Sequence, residues 1–208
     1  MLITFEGVEG VGKTTHIKFV AEQLAQAGIL VLVTREPGGT SVGDEIRSLV
    51  LKQREETIVP MAELFLMFAA RAQHIETVVK PALMRGEWVL CDRFVDASYA
   101  YQGAGRGIKR EIIAECERLV VGDLKPRYTW IFDAPAEIGL SRINNRGRLD
   151  RIESEKIDFF NRVRECYITL AKADPRRYTI IDSAKPLEAV QQDVMKLIQG
   201  LIREHSAN

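Results

Sequence analysis

The sequence predicts an α/β fold in which parallel strands alternate with helices. Short apolar runs rich in β-branched residues alternate with longer segments of helical periodicity along the 208 residues, and a glycine-rich segment directly follows the first run. Nearly continuous apolar runs are typical of parallel strands that helices cover on both faces. We therefore expect a central sheet of about five parallel strands. We also expect one domain, 1–208, because a chain of this length buries a sizeable core without disulfides or structural metal.

Five short segments are the strand candidates. They are Leu2–Glu6, Ile29–Thr34, Trp88–Asp92, Tyr128–Asp133 and Tyr178–Asp182. Between the first two, apolar residues recur at helical spacing, and Gly28 follows as the expected C-terminal stop. A similar pattern from Leu187 to Leu201 predicts the last helix. Right-handed crossovers bring the C-terminal ends of parallel strands to one edge of the sheet, so we expect functional residues directly after strands.

Composition excludes several classes of function. The 29 basic and 29 acidic residues balance, whereas binding a nucleic-acid backbone needs a surplus of Lys and Arg on one face. The longest apolar run, 64–70, is far shorter than the about 20 residues that cross a bilayer. The N-terminal segment lacks the features of a secretory signal. We therefore expect a cytoplasmic protein with no nucleic-acid or membrane partner, in which Cys91, Cys116 and Cys166 are reduced.

A phosphate-binding motif follows the first strand. The segment Gly7-Val8-Glu9-Gly10-Val11-Gly12-Lys13-Thr14 fits GxxxxGK followed by Ser or Thr, and a helical pattern continues from Thr15. Such glycines let backbone N–H groups approach phosphate oxygens, and the helix adds its positive N-terminal end. We expect Lys13 to bridge the β- and γ-phosphates, and the Thr14 hydroxyl to complete a Mg²⁺ shell made mainly of waters and phosphate oxygens. The motif predicts a P-loop NTPase fold that binds ATP or GTP.

Asp92 ends the third strand candidate, in the position of a Walker B carboxylate. Such a carboxylate orients a water bound to Mg²⁺. The alternative is that Asp92 only caps the next helix, a role that aspartate often fills. The chain contains neither the DxxG and NKxD motifs of GTPases nor the LSGGQ motif of transporter ATPases. These absences favour a phosphotransferase.

Four arginines stand near predicted strand ends or on adjacent helices: Arg35, Arg47, Arg71 and Arg93. Guanidinium groups stay charged and bind phosphate oxygens through two parallel hydrogen bonds. No HRD motif supplies a catalytic aspartate, and a phosphate monoester with a second pKa of about 6 needs no base at neutral pH. The pattern favours a nucleoside monophosphate as acceptor, although each arginine alone is also compatible with an ordinary surface position.

Segment 144–153 interrupts the regular alternation. It carries Arg146, Arg148 and Arg151, with Leu149 and Ile152 as its only apolar anchors. This composition indicates a mobile basic loop between two helices, which we name the loop segment. The alternative is a solvated charged turn.

In the order FEGVEGVGKTT, TREPGGT, CDRF, AYQG with GRGI, and RGRLDRIE, these motifs resemble those of the bacterial thymidylate kinases nearly end to end. The resemblance implies a homodimeric P-loop nucleoside monophosphate kinase that phosphorylates dTMP to dTDP with ATP and Mg²⁺, in dTTP biosynthesis. It also implies that Glu9 binds the 3′-hydroxyl of dTMP. Because Gly10 rather than an arginine follows Glu9, the chain is similar to members whose catalytic arginines come from the loop segment. Arg148 and Arg151 are favoured, and the choice between them stays open.

The resemblance implies an acceptor set as well. It comprises Arg47 and Arg93 on the dTMP phosphate, Arg71 on a thymine carbonyl, Ser98 and Gln102 along the base edge, and Tyr101 against the sugar C2′. The last three side chains fall at i, i+3 and i+4, so one helix face presents them all. A helix that packs on the sheet is the alternative for that face. The implied catalytic set is Lys13, Asp92, Arg93, Arg148 and Arg151, with Thr14 and Asp92 at the metal.

Three further expectations follow from the same resemblance. Members of the family usually carry an aromatic residue four positions before the thymine-reading arginine, where this chain has Met67. Phe68 lies three before Arg71 and shares its helix face, so we expect its ring on the base; packing in the core is the alternative. Arg142 is implied to stack on adenine. The apolar helix at 61–72 is implied as a dimer face, although a helix buried within the chain has the same pattern.

Two other functions remain possible from the sequence. One is a related kinase that acts on another nucleotide or on a metabolite hydroxyl. The other is a catalytically silent ATP-binding switch, although Gly7 to Val11 lacks the extra lysine that often marks that class.

Overall fold

The structure, a computed structural model, describes residues 1–144 and 149–206. Five parallel strands form one sheet, as predicted, and their order is β2-β3-β1-β4-β5. Their bounds are β1 Leu2–Glu6, β2 Val31–Arg35, β3 Trp88–Asp92, β4 Tyr128–Asp133 and β5 Tyr178–Asp182. Only β2 departs from its predicted limits. Ile29 instead belongs to the turn that ends the first helix, where its N–H donates to the Leu24 carbonyl at 3.0 Å.

Helices connect the strands and flank the sheet. They are α1 Lys13–Gln26, α2 Ser41–Leu51, α3 Pro60–His74, α4 Lys80–Met84, α5 Val95–Ser98, α6 Arg110–Val120, α7 Ala136–Asn144, α8 Ile157–Ala173 and α9 Leu187–Ser206. A π-helical segment, Ile75–Val79, joins α3 to α4, and a second, Tyr99–Gly105, continues α5. Within the described ranges no helix has both the length and the apolar character that crossing a bilayer requires.

The core forms around β1, whose five residues are all buried. Phe5 packs edge-on against Trp130 at 5.3 Å between ring centroids and lies beside Phe132. On one side of the sheet, α1 contacts β1, β2 and β3 and packs against α9. The predicted stop of α1 is confirmed, because Gly28 adopts φ 78° just after the helix ends. Gly28 thus supplies the left-handed residue that commonly closes a helix.

Strand register places the segments that follow β1, β2 and β3 side by side. Phe5 and Arg35 both pair with Asp92. The N–H of Arg93 donates to the Phe5 carbonyl at 2.9 Å, and the N–H of Glu36 donates to the Asp92 carbonyl at 2.9 Å. The P-loop, the Glu36 segment and Arg93 therefore meet at one edge, where ligands bind in open α/β sheets.

The turn after α5 differs from the predicted α-helical face. Tyr99–Gly105 is π-helical, with the N–H of Arg106 donating to the Tyr101 carbonyl at 2.9 Å. A π turn holds an additional residue and often occurs at functional sites. Ser98, Tyr101 and Gln102 nevertheless all reach the same cavity.

Candidate active site

A cavity of about 470 Å³ lies beyond the C-terminal ends of β1, β2 and β3. It gathers most of the residues that the sequence predicted: Glu9, Gly10, Gly12, Lys13, Thr14, Thr15, Arg47, Arg71, Asp92, Arg93, Ser98, Tyr101, Gln102 and Arg142. Gly7, Val8, Val11, Phe68 and Arg151 do not line it. Arg146 and Arg148 lie outside the described residues.

The P-loop needs glycine at position 10 for two reasons. Gly10 has φ 73°, a left-handed conformation that side chains disfavour. A Cβ atom there would also lie 2.1 Å from the backbone oxygen of Gly139 in α7. An arginine therefore does not fit at this position. That the catalytic arginines come from the loop segment stays a prediction.

Lys13 is buried at the start of α1 and directed back into the loop. Its Nζ donates to the carbonyls of Gly7 at 3.0 Å and Val8 at 2.7 Å. Burial, and then the Arg93 guanidinium, lower the pKa of Lys13 to about 8, although Asp92 and Glu9 act in the opposite direction. A triphosphate would supply the negative charge that this buried ammonium lacks.

The pKa of Lys13 gives a testable pH dependence. A lowered pKa means that the ammonium is present below about pH 8 and is lost above it. We expect the affinity for a non-hydrolysable ATP analogue to fall by up to about tenfold for each pH unit above that value. Titration calorimetry across this range measures it. Lys13→Arg, which keeps its charge, should show a much flatter profile, and an equally flat profile in the unaltered protein would contradict the role of Lys13.

Thr14 and Asp92 form a pair suited to Mg²⁺. Thr14 Oγ1 donates to Asp92 Oδ2 at 3.3 Å, while Asp92 Oδ1 is buried without a hydrogen-bond partner among the described residues. A buried carboxylate oxygen without a partner is costly, and a cation or its bound water would satisfy it. In the described ranges no cluster of three or more His, Cys, Asp or Glu side chains suits a metal. Mg²⁺ bound to a nucleotide needs only one or two protein ligands, so the pair fits.

The capping role that Asp92 might have played is not observed. The N-cap of α5 is Phe94, whose side chain makes no capping hydrogen bond, and Asp92 bonds to Thr14 instead. The position of Asp92 therefore favours the Walker B interpretation.

Arg93 lies between the P-loop and the far end of the cavity. Its Nη1 donates to the Gly7 carbonyl at 2.9 Å and its Nη2 to Glu9 Oε1 at 2.9 Å. The guanidinium also stacks on the Tyr101 ring, 4.7 Å from its centroid. Its backbone has φ 70°, an uncommon conformation for a residue with a side chain. Such backbone outliers cluster at functional sites.

The Glu9 carboxylate turns away from the glycine turn. The hydroxyl of Tyr101 donates to it at 2.7 and 2.8 Å to the two oxygens, in addition to the Arg93 contact. A carboxylate that faced the triphosphate would be repelled by the phosphate charges, whereas this orientation directs the carboxylate to the acceptor side of the cavity. That Glu9 binds the acceptor stays a prediction.

Glu6 and Tyr167, neither of which the sequence predicted, form a hydrogen-bonded pair next to Arg93. The Glu6 carboxylate accepts from the Phe94 N–H and from the Tyr167 hydroxyl, each at 2.7 Å. Arg93 Nη1 donates to the Tyr167 hydroxyl at 3.3 Å. Burial, and then the charge of Asp96, raise the pKa of Glu6 to about 8. A charged residue at the end of the buried strand β1 was the available signal for Glu6.

Positive charge accumulates where the acceptor phosphate is expected. Arg47 Nη1 donates to the Pro37 carbonyl at 3.1 Å. Burial lowers the pKa of Arg47, and the guanidiniums of Arg35 and Arg93 lower it further. Arg35 is paired with Asp44 at 3.0 Å in a half-exposed ion pair. A dianionic phosphate would relieve the mutual repulsion of these guanidiniums.

Arg71 is held in place by several acceptors. Its Nε donates to Glu36 at 2.6 Å, its Nη1 to the Ser98 hydroxyl at 3.0 Å and its Nη2 to the Phe94 carbonyl at 3.0 Å. His74 pairs with the second oxygen of Glu36 at 3.0 Å. The sequence did not indicate Glu36, which is buried after β2 and whose partners Arg71 and His74 lie far along the chain.

The placement of Phe68 corrects the expectation that its ring contacts the base. Phe68 is buried, and the Arg71 guanidinium lies 4.7 Å from its ring centroid. Met67 lines the cavity instead. One residue along a helix changes the direction of a side chain by about 100°, so only one of the two neighbours faces the cavity.

Two of the remaining predicted residues lie at opposite ends of the site. Arg142 lies 3.4 Å from the carbonyls of both Gly10 and Ser183, beside the P-loop. Arg151 lies on the acceptor side, where its Nε donates to the Val50 carbonyl at 2.6 Å and its Nη2 to Glu63 at 2.5 Å. In this structure Arg151 is therefore not directed at the P-loop.

A P-loop and an arginine-lined second pocket, joined by Arg93 at one edge of a parallel sheet, define the class of P-loop nucleotide kinases. A sequence model described as thymidylate kinase matches residues 5–194. The chain belongs to the thymidylate kinase family.

Relatives and a solved structure agree with this assignment. The chain is 52% identical over 202 residues to the thymidylate kinase of Pseudomonas savastanoi pv. phaseolicola, covering 97% of this chain and 96% of that protein. It is 48% identical over 199 residues to the thymidylate kinase of Alcanivorax borkumensis, covering 96% of each. The crystal structure of thymidylate kinase from Ehrlichia chaffeensis matches with a TM-score of 0.76 and 34% identity, covering 95% of this chain and 98% of that one.

Proposed function

We infer that the protein transfers the γ-phosphoryl group of ATP to dTMP, giving ADP and dTDP, and so supplies dTTP synthesis. The observation that carries this inference is the continuous cavity, with the P-loop at one end and Arg47, Arg71 and Arg93 at the other. The family to which the chain belongs supports dTMP as the acceptor.

The residues around the cavity have separate roles in an in-line phosphoryl transfer. An oxygen of the dTMP phosphate attacks the γ-phosphorus, and the bond from that phosphorus to the oxygen bridging the β-phosphate breaks. Lys13 and Arg93 stabilise the charge on the transferred group. Thr14 and Asp92 would hold Mg²⁺, which when bound neutralises charge on the β- and γ-phosphates. The acceptor is largely dianionic at neutral pH, so no general base is needed.

Acceptor selection rests on the far end of the cavity. Arg47 and Arg93 bind the dTMP phosphate, and Glu9 accepts a hydrogen bond from the 3′-hydroxyl. Tyr101 is held by its bonds to Glu9 and stands against the sugar C2′, which disfavours ribonucleotides. Arg71 and Ser98 bind the base edge with Gln102, and Arg142 stacks on the adenine of ATP.

An ADP-release assay across dTMP, dUMP, UMP, dCMP and AMP tests the proposed function. We expect dTMP to be the preferred acceptor, and UMP to be a poor one because of Tyr101. Equal turnover of the five monophosphates, or ATP hydrolysis that no acceptor stimulates, would contradict it.

Arg148 and Arg151 of the loop segment are proposed to reach the transferred phosphoryl group. For a catalytic arginine of this kind, alanine substitution lowers turnover by about 10³- to 10⁵-fold. We expect Arg148→Ala or Arg151→Ala to lower kcat by an amount in this range with a smaller effect on the KM for dTMP. Steady-state kinetics measure the two parameters separately. A raised KM with unchanged kcat in both variants would refute the role of the loop segment.

We also propose a cytoplasmic homodimer in which each chain, 1–208, is one kinase domain. The helices α3 and α6 pack side by side, and both expose large apolar side chains, namely Met61, Phe65, Ile112 and Leu119. Such a patch commonly marks a protein interface. Light scattering of the purified chain measures the oligomeric state. The cysteines Cys91, Cys116 and Cys166 are free thiols, which suits a reducing compartment.

A further inference from the structure

Glu63 in α3 is a fully buried carboxylate at the acceptor end of the site. Gln102 Nε2 donates to its Oε1 at 2.9 Å. Its charge is balanced by two guanidiniums, with Arg106 Nε 3.3 Å and Arg151 Nη2 2.5 Å from its Oε2. Glu63 belongs to none of the motifs described above and does not line the cavity.

The chemistry of Glu63 fixes the orientation of the Gln102 amide. A carboxylate only accepts hydrogen bonds, so the NH₂ end of that amide must face it. Rotating the amide by 180° would bring its oxygen against the buried negative charge and replace a hydrogen bond by a repulsive contact between two acceptors. The orientation is therefore set by Glu63 rather than by the solvent.

The other end of the amide is then available to a ligand. Gln102 lines the cavity. Its Oε1 has no hydrogen-bond partner among residues 1–144 and 149–206, and it is not one of the buried atoms that lack partners. The oxygen is thus accessible, and Gln102 offers an acceptor to the cavity.

Arg71, which also lines the cavity, offers hydrogen-bond donors instead. A guanidinium carries five N–H donors and no acceptor. Three of its nitrogens each make one bond to protein acceptors, which leaves donors for a ligand. The base edge therefore meets a donor from Arg71 and an acceptor from Gln102.

The Arg71 donor and the Gln102 acceptor are complementary to the hydrogen-bonding edge of thymine and not to that of cytosine. Thymine presents the O4 acceptor and the N3–H donor along one edge, whereas cytosine presents the N4 amino donor and an N3 atom without hydrogen. We propose that Glu63 is a positioning residue for base specificity, which holds the Gln102 oxygen toward the base and so selects bases with an N3–H group over cytosine. The proposal rests on the acceptor pocket assigned under Proposed function.

Glu63→Gln isolates this role, because a glutamine at 63 offers both a donor and an acceptor and lets the Gln102 amide rotate. We expect the ratio of kcat/KM for dTMP to that for dCMP to fall by about tenfold or more, since a site built to hydrogen-bond one group rejects the wrong partner only while its polarity is fixed. The ratio of dUMP to dCMP should fall similarly, because uracil carries the same edge. Glu165→Gln, at an exposed position on α8, is the matched control and should leave both ratios unchanged.

A double-mutant cycle separates positioning from simple destabilisation. In a Gln102→Ala background, Glu63→Gln should not change the dTMP to dCMP ratio further. Equal loss of activity on dTMP, dUMP and dCMP in Glu63→Gln would overturn the proposal, because that is the effect of a merely structural residue. If Gln102→Ala alone leaves the ratio unchanged, the assignment of Gln102 to the base edge is wrong, and the proposal for Glu63 is overturned with it. Phosphorylation of dTMP by the unaltered protein stands in either case.

Neutron diffraction from a deuterated crystal of the unaltered protein with dTMP provides a test that does not depend on a variant folding. Deuterium on Gln102 Nε2 directed at Glu63, with the amide oxygen facing the base, would support the proposal. Deuterium directed at the base would overturn it.

Discussion

Arg93→Ala is expected to lower kcat by about 10³-fold, in the range for an arginine that stabilises a transferred phosphoryl group. Arg93 joins the two halves of the site, since it binds the Gly7 carbonyl and Glu9 and stacks on Tyr101. Removing it also leaves the Glu9 carboxylate without its cation, so we expect the KM for dTMP to rise as well. Steady-state kinetics with ATP and dTMP varied in turn measure both effects.

The control for this substitution is Arg118→Ala. Arg118 is exposed on α6 and pairs only with Glu115 among the described residues, and surface pairs of this kind contribute little. Its removal should leave kcat and KM within about twofold of the unaltered protein. Circular dichroism shows whether each variant is folded. A folded Arg93→Ala protein with near-normal kcat would exclude Arg93 from catalysis.

Asp92→Asn is expected to lower kcat by about 10²- to 10³-fold at fixed Mg²⁺, the scale for losing one preorganised electrostatic group. The buried Oδ1 atom of Asp92 has no partner within the described residues, and Thr14 occupies the other oxygen. An amide keeps the shape but removes the charge that attracts the cation, so the Mg²⁺ concentration for half-maximal rate should also rise. Rates measured against free Mg²⁺ test this.

Thr14→Ser and Thr14→Ala form the matched pair for the same site. Serine keeps the hydroxyl and should retain most of the activity, whereas alanine removes it and should raise the Mg²⁺ requirement. If Asp92→Asn and both Thr14 variants show the Mg²⁺ dependence of the unaltered protein, Thr14 and Asp92 do not hold the metal.

The strands were predictable because burial on both faces leaves a clear record in the sequence. Trp88–Asp92 lies inside the sheet, between β1 and β2, and its limits were predicted correctly. The limits of β2 differ from the predicted ones because its apolar run begins at Ile29, two residues before the strand itself. Ile29 belongs to that run but packs in the core from the turn that ends α1. The sequence alone does not distinguish a buried turn residue from a strand residue.

The site was predictable where function depends on local backbone geometry. The P-loop glycines and Lys13 are adjacent in sequence, so their spacing alone identified them. Glu63 and Tyr167 act through partners far along the chain, since Glu63 bonds to Gln102 and Tyr167 bonds to Glu6. Only the folded chain brings such pairs together. For Phe68, in contrast, the helix was predicted correctly, but the direction of the side chain within it was not.

The left-handed backbone of Arg93 is tolerated because the contacts of its side chain compensate for the strain. A residue with a side chain in this region costs about 1 kcal/mol or more relative to glycine, which adopts it freely. Glycine at position 93 would relieve this strain but would remove the contacts of the guanidinium with Gly7, Glu9 and Tyr101, and breaking a largely buried ion pair costs more than the strain. Substitutions meant to raise the stability of the protein should leave Arg93 unchanged, and they are better sought at positions remote from the nucleotide pockets.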